Sequence, residues 1–82
     1  IEELDIADLE KELAETDNDD IAVVYQNLLK GSRNHLRSFY FQIEKNGGDY
    51  QPVYLSEDNA KKIIETDRET GTVITDPGYL YF

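Results

Sequence analysis

The sequence contains no cysteine, so neither a disulfide framework nor a thiolate metal site can staple the fold. No apolar run approaches the ~20 residues that span a bilayer. The first residues, Ile1, Glu2 and Glu3, lack the basic start and long apolar stretch of a signal peptide. Basic side chains are scarce: 8 Lys and Arg stand against 18 Asp and Glu, giving a formal charge of −10. Affinity for nucleic acid rests on phosphate neutralisation by Lys and Arg. The charge therefore argues against nucleic acid and against anionic membranes, and membrane insertion is not expected. Cations, basic partners or simple solubility remain. A chain of 82 residues makes one small domain with an economical core.

What is present is helical periodicity. Residues 19–46 read as one long amphipathic helix. At 3.6 residues per turn, Ile21, Val24, Tyr25, Leu28, Ser32, His35, Leu36, Phe39 and Ile43 share one side. Gln26, Asn27, Lys30, Arg33, Asn34, Arg37, Glu44 and Lys45 share the other. Ser32 and His35 interrupt the apolar stripe, and Gly31 beside them costs roughly 1 kcal/mol of helix propensity relative to Ala. The simplest reading of Gly31 is a close approach between helices. His35 is expected to be buried and to face the first helix.

Residues 1–15 also read as helix, with Glu2, Ile6, Leu9 and Leu13 at helical spacing. The start in mid-pattern, with no cap ahead of it, suggests natural sequence before Ile1. The turn Thr16-Asp17-Asn18-Asp19 offers several residues able to cap the long helix. It lacks the spaced ligands and closing Glu of a calcium loop. So short a connection implies an antiparallel helical hairpin. Asn46-Gly47-Gly48 is a strong helix stop. An extended connector follows, then a short helix over 57–66 capped by Ser56, with Ala60, Ile63 and Ile64 inward. Residues 71–75 have strand composition, Asp76-Pro77-Gly78 is a turn, and Tyr79-Leu80-Tyr81-Phe82 is an unusually apolar end.

No nucleophile with an adjacent base and no phosphate-cradling glycine loop is present. Inward carboxylates and a histidine on paired helices point instead to a metal site. In ferritin-like carboxylate proteins one helix supplies a Glu and its partner a Glu-x-x-His. Residues 1–9, Ile-Glu-Glu-Leu-Asp-Ile-Ala-Asp-Leu, together with Gly31-Ser32-Arg33-Asn34-His35-Leu36-Arg37, resemble the second half of a ferritin-like domain. The family resembled is the one catalogued as domain of unknown function 2202, and the likeness runs from residue 1 to about residue 55. The resemblance implies two further helices before Ile1, bearing more inward ligands, and a carboxylate-bridged iron or manganese site in the intact domain. On that reading Glu2, Glu3, Asp5 and His35 are the candidate metal ligands. Ser32 stands where the family pattern wants a Glu, so this half lacks the usual bridging carboxylate.

The resulting expectation is an all-α fold: an antiparallel hairpin (1–55) forming half of a ferritin-like four-helix bundle, a short third helix (56–66) and an extended tail (67–82). Two functions follow. One is a metal-binding domain with a redox or metal-handling role. The other is a structural or self-assembly module that kept the bundle without a working site. Either needs a partner for the open apolar face, whether a homo-oligomer or the missing N-terminal half. The tail is expected to pack across a neighbouring chain or along an interchain groove.

Overall fold

The computed structural model describes residues 2–71 and 73–82, with Glu2 described through its backbone only. The chain is all-helical, with α1 (Glu2–Glu15), α2 (Asp19–Lys45) and α3 (Glu57–Glu65), and no strand among the described residues. The strand-like composition around Val73 and Ile74 does not form one. That segment lies along α2 and takes its hydrogen bonds from side chains there.

Local chemistry fixes the helix ends. Asn18 caps α2, its Oδ1 accepting from the backbone N–H groups of Asp20 (2.9 Å) and Ile21 (3.3 Å). Ser56 caps α3 by accepting from the Asn59 N–H at 3.1 Å. At the far end of α2, Gly47 takes φ +80° and donates to the Glu44 carbonyl, while Gly48 donates to the Ile43 carbonyl. This is the Schellman arrangement. A Cβ on Gly48 would come within 2.9 Å of the Ile43 side chain, so both glycines are required here.

α1 packs along α2, and α3 packs on α2. The core joins Ile6 of α1, Leu29 and Leu36 of α2, Leu55 of the connector, and Ala60 and Ile63 of α3. Leu9, Leu13, Tyr50 and Tyr81 close over it. Ala60 and Ile63 are buried and Ile64 is half-buried, matching the inward set expected for α3.

α2 departs from expectation. Leu36 of the apolar stripe is buried as expected, but the helix is rotated so that much of the rest of that stripe is not. Gln26, Arg33 and Asn34, assigned to the outer side, are 4%, 2% and 8% exposed. Ile21, Val24, Leu28 and Phe39, assigned to the interior, are 42%, 55%, 51% and 57% exposed. The polar side is buried because Glu69, Ile74, Pro77 and Tyr81 lie on it and satisfy its polar groups, which removes most of the cost of taking them out of water. Gly31 is not a close approach either: a Cβ there would meet nothing within 4 Å.

Candidate functional site

Two surfaces of α2 carry the chemistry of this chain. On the buried side Glu69 is the hub. Its carboxylate accepts a bidentate pair from Arg33 (Nε and Nη2, both 2.7 Å), a third bond from Arg37 Nη1 (2.9 Å) and a fourth from the Tyr79 hydroxyl (3.1 Å). Burial alone would raise the Glu69 carboxyl. The hydrogen bonds and charges of Arg33 and Arg37 outweigh it and hold the group below its ordinary value of 4.5. Arg37 also donates from Nε to the Ile63 carbonyl and from Nη2 to Thr66 Oγ1, closing the C-terminal end of α3. The Tyr81 ring lies 4.3 Å from the Arg33 guanidinium carbon, adding a cation–π contact. Lys62 sits similarly over the Phe82 ring at 3.7 Å. The tail thus packs on its own chain.

The opposite side of α2 is open. Ile21, Val24, Leu28 and Phe39 form an exposed apolar row, and Leu4 of α1 is exposed as well. Asp5, Asp8 and Leu9 of α1 line a shallow groove with Leu28 and Ser32 of α2 at the edge of that row. Phe41, on another side of the helix, is also exposed.

Of the predicted metal ligands, Glu3, Asp5 and His35 have side chains among the described residues, and they do not form one group. Glu3 is buried, but its Oε1 accepts from three successive backbone N–H groups, those of Val53 (2.8 Å), Tyr54 (2.9 Å) and Leu55 (3.1 Å). Burial would raise its carboxyl. Tyr50 and these three amides more than compensate and hold it below 4.5. The Tyr50 hydroxyl is buried and close enough to favour the Glu3 charge, yet it does not meet hydrogen-bond geometry with any acceptor. Burial, first, and the Glu3 carboxylate raise the Tyr50 phenol well above its ordinary value. Glu3 therefore anchors the connector to α1. Its sequence signal, an acidic residue near a helix start, could not reveal a partner fifty residues away.

Asp5 is exposed, and His35 is exposed where the sequence expected it buried. The rotation of α2 accounts for this, since His35 shares the angular position of Leu28 and Phe39 and not that of Leu36. The Glu2 side chain lies outside the described residues. Among the described residues no three His, Asp or Glu side chains come together as a metal-binding group. The residue that sequence reasoning missed is Glu69, placed in a tail of weak pattern, together with its partners Arg33, Asn34 and Arg37. Their one legible sign was a cluster of long polar side chains on the same side of α2.

Residues 1–67 match the family described as an uncharacterized protein domain, DUF2202, and the chain belongs to that family. It is 51% identical over 71 residues to an uncharacterized protein of Methanocaldococcus jannaschii, a match covering 87% of this chain and 38% of that protein. The chain thus spans well under half the length of that relative. No solved structure matches.

Proposed function

We propose that this chain is an assembly module: an antiparallel helical hairpin whose open α2 row docks a second helical pair, completing a bundle of the ferritin-like kind. The observation that carries the reading is the exposed row Ile21, Val24, Leu28 and Phe39 on a 27-residue helix whose other side is already covered. Burial of apolar area contributes about 25 cal/mol per Å², and a row of four large side chains is a substantial source of it. The length of the relative outside the matched region leaves room for a further helical pair in the longer protein. For this chain by itself, the occupant of the row is a second copy.

Sedimentation at tens of micromolar tests this. The expected result is a dimer, favoured by salt because a charge of −10 opposes association. Leu28→Asp with Phe39→Asp should give a monomer of unchanged helix content. A wild-type chain that stays monomeric at moderate salt would overturn the reading.

A second reading keeps the metal. Asp5 and His35 are both exposed near the open row, so docking a second pair would bring them toward a bundle interior. Iron or manganese would then need most of its ligands from that other pair. Elemental analysis of protein purified without chelator decides it. Metal that copurifies with the wild type and is lost in His35→Ala supports this reading, and metal-free wild type removes it.

A further inference from the structure

The buried side of α2 holds the tail as a receptor holds a peptide. Asn27 and Asn34 are seven residues apart, two helical turns, or about 10.5 Å along the axis. Each brackets the main chain of one tail residue with both ends of its amide. Asn34 Oδ1 accepts from the Glu69 N–H and its Nδ2 donates to the Glu69 carbonyl, both at 2.9 Å. Asn27 does the same to Ile74, again with both bonds at 2.9 Å. Gln26 adds a bond from Nε2 to the Pro77 carbonyl at 2.9 Å. An amide offering one donor and one acceptor to a backbone N–H and C=O copies the pairing of a neighbouring strand. It grips extended chain whatever the side chains are. Selectivity comes from one pocket beside the Asn34 bracket, where Arg33 and Arg37 take the single carboxylate of the bracketed Glu69.

The tail behaves as the ligand of this grip. Its contact order, Glu69 on Asn34, Ile74 on Asn27, Pro77 on Gln26, runs opposite to α2. It forms no helix or strand of its own among the described residues. The main-chain bonds of Glu69 and Ile74 go to α2 side chains. Within the tail, Gly71 takes φ +98° between the two brackets, turning the chain from one to the next. Residues 66–68 are the only link from α3 to the first bracket.

We propose that this side of α2 is a recognition groove for a segment that presents one carboxylate and exposed main chain, filled in cis by residues 69–71 and 73–77 and able to take the same segment of a second copy in trans. A second copy is the occupant to which the groove is complementary at every contact, and exchange requires the 66–68 link to open and the tail to leave its own chain. The inference rests on the polar brackets and is independent of the apolar row on the other side of the helix.

The probe is a fluorescein-labelled peptide of residues 67–82, followed by anisotropy against the full chain. The wild-type chain should bind it weakly, because its own tethered tail competes at an effective concentration of about millimolar. Glu69→Gln in the chain loosens the cis tail and leaves the groove intact, so peptide affinity should rise at least about tenfold. Ile74→Pro, which removes the N–H that Asn27 accepts, should do the same and serves if Glu69→Gln fails to fold. A peptide carrying the Glu69→Gln change should bind either variant at least about tenfold more weakly than the native peptide. Adding Asn34→Leu to the chain should abolish binding. No binding by a folded Glu69→Gln or Ile74→Pro chain at about 100 μM, a weak limit for a site of this kind, would overturn the proposal. Equal binding of the native and Glu69→Gln peptides would overturn the role given to the arginine pocket.

Discussion

The two sides of α2 reverse what their side chains would lead one to expect. Gln26, Arg33 and Asn34 are buried beside Ala22, Leu29 and Leu36, while Ile21, Val24, Leu28 and Phe39 on the other side face solvent. Hydropathy measures the cost of burying a residue without partners. It does not anticipate that Glu69, Ile74 and Pro77 supply partners to Arg33, Arg37, Asn34, Asn27 and Gln26. Once each polar group is paired, the penalty for removing it from water is largely offset. The apolar side has no such resident partner among the described residues, and this is why it is the candidate docking surface.

The contrast can be broken most forcefully at Glu69. Glu69→Ala leaves the buried Arg33 and the half-buried Arg37 guanidinium groups without their carboxylate, and the chain should lose about 3–5 kcal/mol of stability. A shift of the urea midpoint at constant slope is the measurement.

Acid attacks the same side. Glu69 and Glu3 are both held below their ordinary 4.5, so their native forms bind protons less readily than the unfolded chain does. Their stabilisation is complete above 4.5 and is lost as pH falls through the lowered native values. Denaturation midpoints should therefore be insensitive to these two groups near neutrality and should drop once pH passes below 4.5. In Glu69→Gln the remaining acid dependence from this pair should be that of Glu3 alone.

A smaller effect of opposite sign is expected at Gly31. It lies within α2, its φ is not positive, and a Cβ there meets open space. Gly31→Ala should raise stability by up to about 1 kcal/mol, read as a higher thermal midpoint. A loss would mean that another chain approaches closely at that point.

The least effect on the isolated chain belongs to the apolar row. Leu28→Ser should change monomer stability by no more than about 0.5 kcal/mol, while weakening self-association measured by sedimentation. Destabilisation of several kcal/mol at low protein concentration would mean that the row is interior after all.

Helix positions were legible in the sequence because their signals are local. Asn18 and Ser56 cap, Gly47 and Gly48 stop, and Ile6, Leu9, Leu13, Ala60 and Ile63 repeat at helical spacing within a few residues of one another. The candidate site was less legible. His35 was expected to be buried and is exposed, and the bonds of Glu3 to the connector backbone fifty residues away have no local sign. In both cases what the local pattern did not carry is which neighbour a side chain meets.

Composition and short-range pattern alone determined an acidic, all-helical chain of three helices with a polar turn after the first and a glycine stop after the second. The tertiary structure decided how α2 is turned about its axis. That rotation depends on pairings thirty to fifty residues apart, Arg33 with Glu69 and Gln26 with Pro77. The free energy of a polar side chain is set by the partner it finds, and a periodic pattern carries no information about partners so distant.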